Sequence, residues 1–317
     1  MGAAASDLIA RFRPGVVAVI GGQPSLGRYC AFGTLFARGP DGAVHRIDRH
    51  PIMRRHPVTP MTEADVRIHL AAQGLANLEL VPFTMLDDTD AVAKALRKGP
   101  VLFDVTSVND HIKIAAALRA TSGRQLLIGA SSVAEILTEG CGGPVEAPAP
   151  AMPASDNVLI FAGSRSATTQ KQVEDARSYC KLPFAPAALR SDALVSSAAA
   201  LLRQGKPVLV HLSPEADYGL SSDVLATASS VFVKRLLDRV EVGYLGLAGG
   251  DTSSRICAEL GFASISYLEN IDPGVSLCIG THPEARLNNM RIILKGGQMG
   301  GPDLFERFLR RSSMSGR

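Results

Sequence analysis

The sequence predicts an α/β protein with two domains, each a largely parallel sheet flanked by helices. Short apolar runs alternate with amphipathic helical patterns, which is typical of parallel strands covered on both faces. A segment rich in Pro, Gly and Ala interrupts this pattern near the middle of the chain. The 317 residues are enough for two cores of ordinary size.

The interruption lies between residues 140 and 157, in the stretch GCGGPVEAPAPAMPASDN. Apolar periodicity stops there, and this composition is typical of an extended or flexible linker. We therefore expect a first domain over residues 1–140, a linker over residues 141–156 and a second domain over residues 157–317.

The pattern is most regular after the linker. Strands are predicted at VLIFA (158–162), VLVHL (208–212), YLGLA (244–248), ASISYL (263–268) and RIILK (291–295). Helices are predicted between them, at Thr168–Tyr179, Asp192–Arg203 and Val224–Val240. In the last of these, apolar residues recur at steps of three to five and therefore occupy one face.

The pattern before the linker is weaker. Strands are predicted at VVAVIG (16–21), LELV (78–81), VLFDV (101–105) and LLIGA (126–130). Helices are predicted at Thr62–Ala72, Asp90–Arg97, Asp110–Ala120 and Ser132–Thr138. Between Arg38 and Pro60 the chain is turn-rich and basic, and the pattern predicts no element there.

Composition argues against several classes of partner. The net charge of +3 is small, and aromatic residues make up 5% with no Trp, which argues against nucleic acid as a partner. No apolar stretch reaches the roughly 18 residues of a bilayer span, so no membrane partner is expected. The 5 cysteines are scattered and lack zinc-site spacing, which favours a cytoplasmic protein and predicts no metal cluster.

Three glycine-rich loops follow predicted strands of the second domain. The first is Gly163-Ser164-Arg165-Ser166, directly after VLIFA. Ligands of open α/β sheets bind at the carboxyl ends of strands, and backbone N–H groups at a helix start bind anions. Gly163, Ser164 and Ser166 are therefore candidate phosphate contacts. The alternative is a glycine turn with a serine N-cap.

The second loop is Gly249-Gly250-Asp251-Thr252, directly after YLGLA. The two glycines allow a close approach of the backbone to a ligand. Asp251 is suited to holding Mg²⁺ or a ribose hydroxyl, and Thr252 to bonding a phosphate oxygen. A turn followed by an N-cap is again the alternative.

The third loop, Lys295-Gly296-Gly297, follows RIILK. Lys295 is a candidate point charge for phosphate, and Gly296 and Gly297 leave room for a nucleotide. On its own, a strand that ends in Lys-Gly-Gly is equally well a surface turn. The chain has neither the P-loop pattern nor a G-x-G-x-x-G pattern.

The order GSRS, GGDTS and KGGQMGGPDLF, with IDPGVSLC at 271–278, resembles the nucleotide-binding domain of the four-carbon acid sugar kinases over residues 157–309. Upstream, four stretches are similar to the later part of that family's substrate-binding domain: PSLGRYCAFGTLFA (24–37), RIDRHPIMRRHPVTPMTEADVRIHLAAQ (46–73), VLFDVTSVNDHI (101–112) and LLIGASSVAEIL (126–137). The resemblance implies that the three loops bind ATP with Mg²⁺. It also implies that the chain phosphorylates a small sugar acid such as a tetronate or a 3-oxo-tetronate.

The sequence departs from the family pattern in two places. The Asp-Asp-x-Thr-Gly segment that opens family members is not found, and with it roughly the first third of a typical member. Because the family's sugar-acid contacts and catalytic aspartate lie there, no catalytic residue is assigned. A non-catalytic or truncated nucleotide- or anion-binding relative is therefore the alternative, and association into a homodimer is plausible. Gln298 and Met299 replace the family's Asn and Phe.

The basic stretch after residue 45 is the candidate anion site of the first domain. Arg54, Arg55 and His56 are the predicted substrate contacts, because an arginine fork matches a carboxylate in a bidentate way. The alternative is a solvated basic loop. Asp104, near the end of VLFDV, either binds a ligand or caps the following turn.

Overall fold

The computed structural model describes residues 1–39, 42–55, 59–141, 151–189, 191–213 and 216–314. Contacts separate the chain into two units, Met1–Val145 (unit 1) and Glu146–Arg317 (unit 2). The division falls within the Pro- and Ala-rich segment predicted as a linker. Residues 142–150 of that segment lie outside the described residues.

Unit 1 is built around a four-stranded sheet with the order β5-β6-β1-β7, in which every pair is parallel. A second sheet, β2-β3-β4, is antiparallel. The strands are β1 (Val16–Ile20), β2 (Arg28–Ala31), β3 (Thr34–Arg38), β4 (Val44–Arg46), β5 (Glu79–Val81), β6 (Val101–Phe103) and β7 (Gln125–Ile128). The helices are α1 (Gly2–Phe12), α2 (Val66–Ala71), α3 (Thr89–Lys98), α4 (Val108–Arg119) and α5 (Ser132–Thr138).

Helices cover both faces of the four-stranded sheet. On one face α1 and α2 pack against β1 through residues such as Ala5 and Leu70. On the other face α3, α4 and α5 pack through residues such as Leu96, Ile114 and Ile136. Every residue of β1 is buried, which explains its uninterrupted apolar run.

A buried carboxylate holds the turn between β2 and β3. The turn residues Phe32 and Gly33 have φ angles of 50° and 80°. Asp104 has no exposed surface and accepts hydrogen bonds from the N–H groups of Phe32 (2.6 Å), Gly33 (2.9 Å) and Phe83 (3.3 Å). Asp104 therefore holds a turn distant in sequence, whereas in the turn that follows it the N–H groups of Thr106 and Ser107 donate to Asp110.

Unit 2 contains one seven-stranded sheet with the order β12-β13-β14-β11-β8-β10-β9. The strands are β8 (Val158–Ala162), β9 (Cys180–Phe184), β10 (Val208–Leu212), β11 (Tyr244–Ala248), β12 (Ser264–Asp272), β13 (Val275–Thr281) and β14 (Met290–Lys295). The helices are α6 (Ala167–Asp175), α7 (Asp192–Arg203), α8 (Ser222–Leu237), α9 (Gly250–Leu260) and α10 (Leu304–Met314). The pairs from β14 to β9 are parallel, whereas β12 and β13 form an antiparallel hairpin.

The chain leaves β8 and β11, two neighbouring strands of this sheet, toward opposite faces. After β8 the chain runs through α6 to β9, and α6 packs on the same face as α10. After β11 it runs through α9, which lies on the opposite face with α7 and α8. A crevice between the carboxyl ends of β8 and β11 follows from this reversal, and it is the usual ligand position in open α/β sheets.

Candidate functional site

The first two glycine loops meet at this crevice, and the third joins them from β14. A Cβ atom built on Gly163 would lie 2.5 Å from Cγ2 of Thr252. One built on Gly297 would lie 2.5 Å from Oγ of Ser164. The three loops that the sequence analysis selected are therefore in mutual contact.

The lack of a side chain has a different consequence at each glycine of these loops. Gly163 permits contact with the first turn of α9, and Gly249 has a φ of 115° that favours glycine. Gly250 is different, because a Cβ atom there would meet no atom within 4 Å. The open space at Gly250 lies at the start of α9, where a ligand can approach the backbone.

The start of α9 has the features of an anion site. Its N-cap, Gly249, has no side chain to accept hydrogen bonds from the first turn. The helix is 11 residues long, so its N–H groups and dipole favour a negative charge there. The buried hydroxyl of Ser253 in the same turn has no hydrogen-bond partner among the described residues.

Asp251 and Thr252 stand in this first turn. Asp251 is exposed and Thr252 is buried. A single exposed carboxylate beside an anion site fits Mg²⁺, which is usually held by one or two carboxylates together with phosphate oxygens. Within the described ranges no group of three or more His, Cys, Asp or Glu side chains is placed to hold a metal by itself.

The serines of the first loop organise the loops themselves. Ser166 is the N-cap of α6 and accepts a hydrogen bond from the N–H of Thr169 at 3.2 Å. Its hydroxyl also bonds the carbonyl oxygen of Gly297. Ser164 accepts from the N–H of Ser166 at 3.2 Å. The first loop is thus hydrogen-bonded to the third.

Lys295 lies beneath the loops. Only 2% of its surface is exposed, and its Nζ donates to Oγ1 of Thr169 at 2.9 Å and to the carbonyl oxygen of Gly297 at 3.4 Å. Burial lowers the pKa of this ammonium group from 10.5 to about 8. Its charge acts on the crevice from below, through a low-dielectric interior.

Two side chains that the sequence analysis did not select hold the third loop. The amide of Gln172 in α6, which has no exposed surface, donates to the carbonyl oxygens of Met299 (3.1 Å), Gly300 (3.0 Å) and Gly301 (2.9 Å). On the other side, Asp272 accepts from the N–H of Gly301 and from the guanidinium of Arg307. The IDPG motif contained Asp272, but its partner residues were not evident from spacing.

A cavity of about 160 Å³ adjoins the first loop at the carboxyl ends of β8 and β10. Ser164, Arg165 and Thr169 line one side, and His211 lines the other. Burial lowers the pKa of His211, so this imidazole favours its neutral form. The guanidinium of Arg165 lies 6.0 Å from the ring centroid of Tyr218.

The predicted substrate residues of unit 1 lie in a 3₁₀ turn, Met53–Arg55. Arg54 and Arg55 are exposed, and His56 lies outside the described residues. A cavity of about 360 Å³ opens elsewhere in this unit, at the carboxyl ends of β1 and β7. Met53 contributes to its wall, whereas Arg54 and Arg55 do not.

Family models match both units. Residues 1–137 match a sugar-binding N-terminal domain, and residues 159–305 match a nucleotide-binding C-terminal domain. The 3-oxo-isoapionate kinase of Paraburkholderia graminis is 32% identical over 339 residues, which cover 95% of this chain and 72% of that kinase. The chain belongs to the four-carbon acid sugar kinase family. The family membership predicted from the loops is thereby confirmed.

Other members of the four-carbon acid sugar kinase family are more distant. The 3-oxo-tetronate kinase of Cupriavidus necator is 27% identical, and the match covers 81% of this chain and 64% of that kinase. The chain thus spans 72% of one relative and 64% of the other.

Two solved structures show the same fold. A protein of Salmonella typhimurium LT2 superposes with a TM-score of 0.76 at 21% identity, over 96% of this chain and 76% of that one. A protein of Haemophilus influenzae superposes with a TM-score of 0.67 at 20% identity, with the same coverage of 96% and 76%. The predicted α/β class is confirmed. No helix in the described part of the chain is long and apolar enough to cross a bilayer.

Proposed function

We propose that this chain is an ATP-dependent kinase that transfers a phosphoryl group to a hydroxyl of a small four-carbon sugar acid, such as a tetronate or a 3-oxo-tetronate. One observation carries the proposal: the three glycine loops of a sugar-acid kinase family meet at the crevice where the sheet of unit 2 changes direction. Relatives that act as 3-oxo-isoapionate and 3-oxo-tetronate kinases support this class of acceptor.

In this proposal the phosphates of ATP lie against the first turn of α9. The N–H groups of this turn lack a side-chain cap, and the open space at Gly250 permits a close approach. The buried ammonium group of Lys295 adds positive charge below the crevice. These features bind and orient the anion, which is most of what phosphoryl transfer requires of a protein.

Asp251 is the proposed protein ligand of Mg²⁺. It is exposed in the first turn of α9, beside the proposed phosphate position. Mg²⁺ held there by Asp251 would supply positive charge against the charge that develops on the phosphate oxygens during transfer. Replacement of this single carboxylate therefore weakens nucleotide binding without disturbing the core.

Unit 1 is proposed to bind the acid, as its match to a sugar-binding domain indicates. A carboxylate requires a cationic partner there, and Arg54, Arg55 and His56 are the candidates that the sequence analysis selected. No side chain is assigned as the base for the acceptor hydroxyl.

The first test is release of ADP from Mg·ATP in the presence of erythronate, threonate, 3-oxo-tetronate or 3-oxo-isoapionate. Release that depends on the acid establishes a kinase. ATP binding without release by any of these acids would instead support a non-catalytic nucleotide-binding relative.

The site assignment is tested separately by calorimetry with Mg·ATP. Asp251→Ala is expected to weaken ATP binding at least tenfold while the circular dichroism spectrum stays unchanged. Asp90→Ala is the matched control, since Asp90 is also an exposed acid in the first turn of a helix, α3. Equal affinities of the Asp251 variant and the parent chain would remove Asp251 from the site.

Two further proposals concern the environment of the chain. The outer edges of β5 and β7 carry no strand partner within the described residues, which leaves them available for association into a homodimer. Light scattering after size-exclusion chromatography tests this. A cytoplasmic location, which accords with the use of ATP, is tested by cell fractionation.

A further inference from the structure

The cavity of about 360 Å³ in unit 1 stands where a parallel sheet presents ligands. It is lined by the residues that follow β1 (Gly21, Gly22 and Gln23) and β7 (Gly129 and Ala130). After β1 the chain leaves toward the face covered by α2, and after β7 toward α5 on the opposite face. The cavity therefore lies at a change of direction in the sheet, and its volume falls within the range of small-ligand sites, about 300–1,000 Å³.

Arg28, which has no acidic partner among the described residues, is one of the residues that line this cavity. Arg28, on β2, is half-buried, and its side chain makes one hydrogen bond, of 3.2 Å, to the carbonyl oxygen of Leu26. No carboxylate of the described residues forms an ion pair with it, and burial lowers its pKa. Since removing a charge from water without a counter-charge is costly, an unpaired half-buried arginine indicates an anionic ligand.

A second observation at the same cavity is independent of the first. The hydroxyl of Ser132, at the start of α5, lines the cavity and is 1% exposed. Its Oγ has no hydrogen-bond partner among the residues that the structure describes. A buried hydroxyl is normally hydrogen-bonded, because leaving it unpaired costs about 1–3 kcal/mol. Ser132 is thus free to bond a ligand in the cavity.

The other lining groups restrict the chemistry of this ligand. Glu63 also lines the cavity, and its carboxylate is held by the N–H of Asp65 at 2.8 Å. A carboxylate accepts hydrogen bonds from hydroxyl groups but repels a dianion such as phosphate. Most of the remaining wall is apolar and includes Leu35 and Leu70. Arg28 and Glu63, together with Met1, His69 and Gln23, place cationic, anionic and polar residues in a largely apolar cavity, which fits a small acid that also carries hydroxyl groups.

We infer that this cavity binds a small hydroxy acid, with Arg28 as the partner of its carboxylate and Ser132 and Glu63 as partners of its oxygen atoms and hydroxyl groups. As a kinase acceptor site the inference rests on the proposed function; as a binding site it stands without it. It assigns the carboxylate to Arg28 rather than to the exposed Arg54 and Arg55.

Binding of erythronate and threonate, measured by calorimetry without ATP, tests the cavity apart from catalysis. Arg28→Gln is expected to weaken binding at least tenfold, and Arg28→Lys to retain part of it because the point charge remains. Arg38→Gln is the matched control: Arg38 is an exposed arginine on β3 of the same sheet, and its replacement is expected to change affinity less than about twofold.

Ser132→Ala separates a ligand contact from a structural role. Removal of an unpaired buried hydroxyl is expected to leave the melting temperature of the free protein unchanged or higher, yet to weaken hydroxy-acid binding about threefold to tenfold. Propionate, which lacks hydroxyl groups, serves as the matched probe for the carboxylate contact alone. Its binding is expected to be sensitive to Arg28→Gln.

Three results would overturn the inference. They are unchanged acid affinity in Arg28→Gln, loss of binding in Arg54→Gln but not in Arg28→Gln, and no binding of either acid by the parent chain at millimolar concentration. If ADP release proceeds with an unaltered KM for the acid in Arg28→Gln, the cavity assignment fails and the kinase stands. If Arg28-dependent binding occurs without any ADP release, the cavity stands and the kinase fails.

Discussion

The ammonium group of Lys295 donates a hydrogen bond of 2.9 Å to the hydroxyl of Thr169, and both side chains are at least nine-tenths buried. The bond joins the end of β14 to the first turn of α6. The glycine loops after β8 and β14 are therefore fixed to each other from below. An interior cation at this place has consequences for stability as well as for binding.

The stability of unit 2 is expected to depend on the titration of Lys295. Its pKa is about 8 in the folded chain and 10.5 in the reference state, so between these values the unfolded chain binds more protons. The free energy of unfolding therefore rises with pH in this window, and below about pH 8 the cost of the buried charge is present in full. Relative to Lys295→Met, the parent chain is expected to gain up to about 3 kcal/mol between pH 7.5 and 10.5.

Urea unfolding of the two proteins at pH 7.5 and pH 10.5, followed by circular dichroism, measures this difference. The comparison cancels groups that titrate in both chains, such as Cys257, whose pKa burial raises to about 11. Parallel changes in the two unfolding free energies would show that Lys295 is solvated.

The loops after β8 and β11 are expected to tolerate a methyl group at one glycine and not at the other. A Cβ atom on Gly163 would lie 2.5–2.8 Å from three atoms of Thr252, so Gly163→Ala forces the loops apart. We expect it to destabilise the chain by about 1–3 kcal/mol and to abolish ATP binding. Thermal unfolding and calorimetry with Mg·ATP measure the two effects.

Gly250→Ala is the matched variant, because the added methyl group meets nothing within 4 Å and lies in a helix. We expect unchanged or slightly higher stability together with weaker ATP binding, since the methyl group occupies the proposed phosphate position. Unchanged ATP affinity in this variant would place the phosphates away from Gly250.

The hydrogen bonds from Gln172 to the third loop are expected to determine nucleotide affinity. Gln172→Leu removes the hydrogen bonds to the carbonyl oxygens of residues 299–301 and leaves these half-buried groups without their donor. We expect a stability loss of about 1–3 kcal/mol and an increase of the KM for ATP at a less affected kcat. Lys171→Gln, which alters an exposed side chain one position earlier, is the control. A lower kcat with unchanged KM would contradict a positioning role.

The carboxylate of Asp104 is expected to be essential for unit 1. In Asp104→Asn an amide N–H₂ group replaces one acceptor oxygen, so at least one of the three backbone donors loses its partner. We expect a loss of about 1–3 kcal/mol in the free energy of unfolding. Asp88→Asn, at an exposed N-cap of α3, provides the comparison with an expected loss below about 1 kcal/mol. Equal losses would show that the turn does not depend on Asp104.

The sequence predicted the strands and helices in which apolar residues are continuous or recur at a regular spacing. The predicted strands at 158–162, 208–212 and 244–248 coincide with β8, β10 and β11, and the predicted helix Asp192–Arg203 with α7. These elements are central or amphipathic, so their apolar pattern is local. In contrast, β9 was not predicted, because it is an edge strand with alternating exposure and contains Pro183.

Among the antiparallel elements only part of β12 was predicted, as the strand at 263–268. The hairpin of β12 and β13 turns at Pro273-Gly274, where Gly274 has a φ of 72°. The Pro-Gly pair is a turn signal in the sequence. The stretch 271–278 that contains it was used only as part of the family resemblance, and no hairpin was predicted from it. The sheet of β2, β3 and β4 depends on Asp104, which stands on a distant segment, and so had no local signal.

The sequence by itself determined the α/β class, the family and the three glycine loops that follow strands, because strand periodicity and turn formation depend on residues that are neighbours in the chain. Only the tertiary structure decided that Lys295 is buried beneath the loops and that Gln172 holds the third of them. It also brought Arg28 and Ser132 to one cavity, while Arg54 and Arg55 remained at the surface. Burial and hydrogen-bond satisfaction depend on groups far apart in the chain, and spacing along the sequence does not encode them.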